Sequence, residues 1–327
     1  DLEALCEEYY GEGNSSYAGR TIFTGYKTTS DFTYKSADTN AKFSISETFK
    51  VSQLNTRDYI SNNVTIDKGN LTAIDQENFP QTYEVTKFNL TYSGMKGIDS
   101  LTYTDASGAQ VTIPVKTYSL TAGDDDAYLN PDANGVNYIV ETGELVFGET
   151  IEEIFSTLPN DSVVTAVYTK EGFAEGDINP VMYFDCTDLV NNVSYTKEQQ
   201  DIEYNVGFNQ SIKVNTEGSD VLLLDVKKEI ADLRDAITSV QACEKKKADI
   251  EDLLEDTRYT TTEKEALQTM LAATEKELDL KKARMVGLFK QGVGSMQDYQ
   301  ANVDLQIADL GNRSSRLTMI KTRADQQ

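Results

Sequence analysis

Histidine is absent from all 327 residues, and with it go the commonest general base, the usual member of a catalytic triad and the usual zinc ligand. Enzyme readings lose most of their ground. Cysteine is scarce: Cys6, Cys186 and Cys243 are odd in number, far apart and without CxxC spacing, so three isolated thiols are expected, not a disulfide framework or a metal knuckle. Basic side chains are outnumbered 30 to 54, and the formal charge of −24 would repel nucleic-acid phosphates and anionic lipid. Neither is expected as a partner. No run of 18 apolar residues is present to span a membrane, and no basic and apolar leader opens the chain.

The chain itself begins with a helical pattern. In "DLEALCEEYY", Leu2, Leu5 and Tyr9 fall at helical spacing with acidic residues on the other face. "GEGNSSYAG" then breaks the helix with turn formers. The chain starts and stops inside helical patterns, the second being "LTMIKTRADQQ", which leads us to expect a longer protein trimmed at both ends. From about residue 30 to about 215 the texture is β: "KFSISETFKVS" and "VTAVYTK" alternate apolar with polar residues. Ser107-Gly108, Asn134-Gly135 and Glu217-Gly218 supply turn signals for an antiparallel module.

From about residue 219 the period changes. Val226, Ile230, Leu233, Ile237 and Val240 form a heptad seam, which decays where Glu244 and Lys247 stand at apolar positions. "TRYTTTEKEAL" reads as a turn and a new helix start, with Thr262 and Glu265 as capping box, followed by Leu267, Leu271, Leu278 and Met285 on one side. "KQGVGSMQD" reads as a second break at Gly292 and Gly294, with Ser295 and Asp298 capping a third helix. That last helix carries Met296, Tyr299, Val303, Ile307, Leu310, Leu317 and Ile320. These seams are expected to bury each other within one subunit as the core of a rod. The expected fold is therefore α+β: a discontinuous helical rod from residues 1–40 and 200–327, and an antiparallel β-rich domain, of one or two lobes, inserted as residues 41–199.

Chemistry-bearing patterns are few. Asn130, Asp132, Asn134, Gly135 and Glu141 match positions of a calcium-binding EF-hand loop. Their flanks alternate like strands around Thr142-Gly143, however, so a loop leading into a β-hairpin is the preferred reading. The run Asp124-Asp125-Asp126 holds a hard cation or is a solvated loop, and the second is preferred. Asn63, Asn70 and Asn89 open glycosylation sequons, which an Asn- and Thr-rich chain also makes by chance. "GRTIFTGYKT" lacks the order of a phosphate-binding loop. It reads instead as an elbow: Gly19 and Gly25 permit tight turns, while Ile22, Phe23 and Tyr26 pack onto the returning helices. No catalytic residue and no cofactor is assigned.

Three stretches carry a resemblance. "SSYAGRTIFTGYKT" (15–28) is similar to an "ANxxxGRYIFSGxxT" pattern, with Thr21 in place of Tyr, "QQDIEYNVGFNQSIKVNTEGSDVL" (199–222) to the strand pair before the C-terminal helices, and "DLGNRSSRLTMIKTR" (309–323) to a Gly-x-Arg-x-x-Arg-Leu helix. All three resemble the flagellin superfamily, and within it the hook-associated protein 3 family of the hook–filament junction. "YIVETGELVFG" (138–148) and "GDINPVMYFDCTD" (176–188) are similar to β-domain segments of its long members. Residues 241–292 depart as an extra helical hairpin. The resemblance implies an extracellular structural subunit needed for motility, exported by the flagellar type III apparatus with a chaperone. It also implies self-association into a ring that contacts the neighbouring junction protein and flagellin. Flagellin itself is the nearest alternative. A secreted adhesin or calcium-dependent binding module on a helical stalk is the reading from another class.

Overall fold

The structure, a computed structural model, describes residues 2–61, 64–122, 126–129, 131–198, 201–207 and 209–326. The chain opens with helix α1 (Leu2–Gly11) and the two-residue strands β1 (Ser16–Tyr17) and β2 (Arg20–Thr21). Of the residues that mark α1 in the sequence, Leu2 and Tyr9 are half-buried and Leu5 is exposed; Tyr10 is the buried one.

Thirteen more strands come after these. They are β3 (Asp38–Lys50), β4 (Asn55–Ile60), β5 (Thr82–Asn89), β6 (Ile98–Thr104), β7 (Gln110–Thr112), β8 (Val115–Tyr118), β9 (Val136–Ile139), β10 (Glu144–Phe147), β11 (Val163–Phe173), β12 (Asp185–Asp188), β13 (Val193–Tyr195), β14 (Glu203–Gly207) and β15 (Gln210–Lys213). Two short helices interrupt them, α2 (Asp126–Leu129) and α3 (Glu149–Thr157). One sheet has the order β4-β5-β10-β9-β8, the other β13-β12-β3-β11-β6-β7. Alternation decides which side chains face inward: Phe43, Ile45 and Phe49 on β3, and Val164, Ala166 and Tyr168 on β11, are buried at every second position. They meet Phe88 of β5, Tyr138 of β9, Leu145 and Phe147 of β10, and Ile151 and Phe155 of α3 in one continuous core. The two larger sheets therefore share one core. All neighbours are antiparallel except β8 and β9, whose connection is long enough to hold α2 and so permits a parallel crossover.

After the β14–β15 hairpin come α4 (Gly218–Val221), α5 (Leu224–Glu255) and α6 (Thr261–Asp325). α5 and the first half of α6 form an antiparallel pair. Its inward line on α5 runs through Val226, Leu233, Ala236, Val240, Cys243, Ile250 and Leu253, against Leu267, Met270, Leu278 and Leu288 of α6. Ile230 and Ile237, expected in that line, are only half-buried; Ala236 and Cys243 are buried in it instead. The seam does not end at Glu244 and Lys247, which pair across the helices with Lys282 and Glu275, each at 2.8 Å. The connection between β4 and β5 reaches the far end of this pair, where Val64, Ile66, Leu71, Ile74 and Phe79 pack on Ile250, Leu253 and Leu267.

Two expected boundaries differ. The cap of α6 is Thr260 with Glu263, each side chain accepting from the other's backbone N–H, at 3.3 and 2.7 Å, not Thr262 with Glu265. "TTTEKE" offers both frames, and the earlier one completes the turn that brings Ala266 and Leu267 onto α5. The expected break at Gly292 and Gly294 is absent: α6 is one helix of 65 residues, about 100 Å long. A helical glycine costs only about 1 kcal/mol, and Gly292 is buried under Leu233, whose Cδ1 lies 3.5 Å from where a Cβ would stand. The Ser295 hydroxyl donates back to the Gln291 carbonyl instead of capping a new helix.

Candidate functional site

The β lobe and the helices meet at a joint, and Phe32 is its plug. Its ring is 1% exposed and fills the space above two glycines: a Cβ on Gly13 would lie 2.4 Å from the ring, and one on Gly218 2.5 Å. The Asn14 amide fixes this loop, its Oδ1 accepting from the backbone of Phe32 at 2.7 Å and of Thr33 at 3.2 Å. α1 is tied to the start of α5 by the Tyr10 hydroxyl, which donates to the Leu223 carbonyl at 2.6 Å.

The elbow residues lie at the edge of this joint. Gly19 and Gly25 do adopt positive φ, +77° and +59°. The expected packing does not extend to Ile22, 48% exposed, or to Tyr26, also exposed. Phe23 is half-buried, and its carbonyl accepts from Gly218 N at 2.7 Å. Polar contacts hold the elbow instead: Thr21 and Thr24 share a buried hydroxyl pair, the Lys27 ammonium donates to the Val181 carbonyl at 3.1 Å, and the Tyr26 hydroxyl donates to the Asp201 carbonyl.

Behind the joint lie two buried charge clusters. On β3, Glu47 shares the inward face with Ile45 and Phe49; it accepts from Thr91, from the Tyr168 hydroxyl at 2.6 Å and from Lys228 of α5 at 3.2 Å. On β5, Lys87 contacts Glu144 of β10 and Asp232 of α5, the latter at 2.8 Å. Asn89 donates to the same Asp232 oxygen at 2.9 Å, and Tyr128 and Thr142 donate to Glu144. Burial pulls the Lys87 pKa down, but the two carboxylates outweigh it and the net shift is upward. Burial pushes Asp232 up, and Lys87 and Asn89 outweigh that and bring it below the usual carboxylate range.

The most extended surface feature belongs to α6. Val286, Phe289, Val293, Met296, Val303, Ile307, Leu310 and Leu317 follow heptad spacing on one side of the helix. All are exposed except Val303, which is half-buried; Val293 and Ile307 are both 61% exposed. Leu288, Gly292, Asn302 and Arg313 turn toward the chain's own fold, with Gly292 beside Phe289 and Met296 and Arg313 beside Leu310 and Leu317 on the helix surface. Asn302 donates to the Asp220 carbonyl at 2.9 Å, and Arg313 to the Asn215 carbonyl and the Thr216 hydroxyl. Thus Met296, Ile307, Leu310 and Leu317, expected in a rod core within one subunit, lie on the surface, and Tyr299, Val303 and Ile320 are half-buried. α5 begins at Leu224, and beyond it Asn302 and Arg313 of α6 meet the polar segment around residues 215–220.

Asn130 lies outside the described residues. Asp132 accepts from Asn134 N within its own turn, at the opposite end of β9 from Glu141. The Glu141 carboxylate is occupied by the Ser119 and Thr121 hydroxyls and the Leu120 amide. Slight burial raises its pKa, but these donors bring it down to about 2. Thr142-Gly143 does form the β9–β10 hairpin turn, with Gly143 at φ +74°. Asp124, Asp125 and Asn63 also lie outside the described residues; Asn70 is exposed and Asn89 belongs to the Asp232 cluster. Cys6, Cys186 and Cys243 form no disulfide, and burial pushes the Cys186 thiol up to about 12. Among the described residues no group of three or more His, Cys, Asp or Glu is placed to hold a metal ion, and no helix is long and apolar enough to cross a membrane.

Pattern reading missed Phe32, Glu47, Lys87 and Asp232. One signal was present for Glu47, whose strand position shares the inner face with Ile45 and Phe49; Lys87 shares with Val85 the face of β5 opposite Phe88. Comparisons with protein families, curated proteins and solved structures gave no match to this chain.

Proposed function

We propose that the chain is a structural subunit of the bacterial flagellum, a hook-associated protein that joins hook to filament and is needed for motility. In this reading it is exported by the flagellar type III apparatus with a chaperone. Outside the cell it packs side by side with copies of itself in a ring between the neighbouring junction protein and flagellin.

The observation that carries the reading is the outward apolar seam of α6, roughly 45 Å of heptad surface on a single long helix. Burying a fully exposed side chain of this kind contributes about 1.5–3 kcal/mol, and part of that remains to be gained along the seam, where Leu317 is 38% and Val293 61% exposed. A rod that assembles through helix packing needs such a face. The stretches that resemble the hook-associated proteins also support it: 15–28 enters the joint, 199–222 includes the β14–β15 hairpin and leads into α5, and 309–323 forms the last turns of α6.

Deletion of the gene in a motile host is the test. Hooks without attached filaments, with flagellin released into the medium, are expected; attached filaments of normal length would sink the proposal. Growth of long filaments from the purified full-length protein alone would reassign it as flagellin.

A further inference from the structure

The cluster around Lys87 has the composition and geometry of a condensation site. Its three members come from three separate elements and their side chains are only 3%, 5% and 10% exposed for Lys87, Glu144 and Asp232. The Lys87 amine is 2.8 Å from Asp232 Oδ1, which places the carboxyl carbon one bond further on. Asn89 Nδ2 lies 2.9 Å from that same oxygen, where negative charge would develop if Cγ were attacked. Glu144 touches Nζ through Oε1, while its Oε2 is held by the Tyr128 and Thr142 hydroxyls, so the carboxylate is oriented toward the amine.

We infer that Lys87 and Asp232 condense into an intramolecular isopeptide bond, with Glu144 carrying the proton, so that the β lobe is joined covalently to α5. The reactive form is the neutral pair: Nζ gives a proton to Glu144, the proton passes on to the Asp232 carboxyl, and the free amine attacks Cγ. Oδ1 takes the developing charge opposite Asn89. The intermediate collapses as the C–Oδ2 bond breaks, and Oδ2 leaves as water with two protons that both began on the ammonium, the first relayed by Glu144. One C–N bond forms, one C–O bond breaks, and nothing is oxidised or reduced. The new amide N–H then donates to Glu144 and its carbonyl accepts from Asn89.

Two physical features favour the step. Fixing amine and carboxyl in one buried site replaces a bimolecular encounter by an intramolecular one. A buried ion pair also carries a desolvation cost that a neutral amide does not. The cluster borders a cleft of about 370 Å³ between the lobe and the helices, lined in part by Arg57, Tyr59, Ser239 and Arg284, which gives the released water a way out.

The test is the intact mass of the full chain under denaturing conditions, followed by proteolysis. A chain lighter by one water is expected, with a branched peptide joining the segment of Lys87 to that of Asp232 and no tryptic cleavage after Lys87. The variants Lys87→Arg and Glu144→Gln should keep their full mass. A wild-type chain at full mass, with Lys87 and Asp232 in separate peptides, overturns the inference whether or not the variants fold. So does a water loss located at any other pair, and Glu144→Gln that still loses water removes Glu144 from the reaction.

Discussion

Lys87 on β5 and Asp232 on α5 are separated by 145 positions in the sequence and by 2.8 Å in space. The pair holds the β lobe and the helices to each other, through charge before the inferred amide forms and covalently after it, and the consequences of disturbing it differ from those of an exposed ion pair. Lys87→Met leaves Glu144 and Asp232 buried without their shared cation. A loss of at least about 3–5 kcal/mol, the value for a broken buried ion pair, is expected, measured as a lower urea midpoint for the full chain. A change below about 1 kcal/mol, typical of exposed pairs, would remove this role.

Phe32 makes a different prediction, because it is a matter of volume. Phe32→Ala should cost about 3–5 kcal/mol in thermal or urea unfolding. Phe23→Ala should cost clearly less, since that ring is half-buried. Gly13→Ala should also destabilise the chain, its Cβ landing 2.4 Å from the Phe32 ring. A chain that accepts alanine at Gly13 without loss would show that the plug is not tight.

Gly294 tests the continuity of α6. Nothing lies within 4 Å of the place its Cβ would occupy, and the residue sits inside the helix. Gly294→Ala is expected to raise stability by about 1 kcal/mol. Were the helix to end there in a left-handed glycine cap, alanine would lower stability instead.

Glu141 gives a pH dependence. Its folded pKa of about 2 lies below the unfolded value of about 4.3. Its contribution is therefore complete above the unfolded value and is lost as pH falls from about 4 toward 2. Amide exchange at Leu120, whose N–H donates to Glu141 at 3.0 Å, should quicken across that window. Glu141→Gln should remove the dependence.

The α6 seam separates folding from assembly. Leu310→Asp, at a position 53% exposed, should leave the unfolding midpoint of the chain within about 0.5 kcal/mol of the parent, yet abolish motility in a host carrying it. Loss of stability on the scale of a core residue would place the seam inside the subunit. Normal swimming would argue against the proposed packing.

Much of this architecture is written in local pattern. The alternation of "KFSISETFKVS" is the inward and outward face of β3, the turn at Thr142-Gly143 is the β9–β10 hairpin, and the heptads after residue 219 are the helices α5 and α6. These features are legible because strand and helix periods are properties of neighbouring residues and need no knowledge of the partner. The helix boundaries were less so. Two capping frames in "TTTEKE" and two glycines near residue 293 have the same local meaning whether or not α5 lies alongside, and packing against α5 is what selects one frame and carries the helix through Gly292.

Which surface each pattern meets was decided only by the tertiary structure. The heptads of α6 look alike along its length, yet Leu267, Met270, Leu278 and Leu288 are buried whereas Val293, Met296, Ile307 and Leu310 are exposed, because α5 begins at Leu224 and does not accompany the last turns of α6. The joint obeyed the same logic. Phe32 becomes a plug because Gly13 and Gly218, on opposite sides of the inserted lobe, are brought to its ring, and Lys87 becomes a buried cation because Asp232 arrives from α5. Composition set the acidic, histidine-free character of the chain and periodicity its mixed α+β class, whereas contacts between residues far apart in sequence depend on how the elements pack, which no local pattern records.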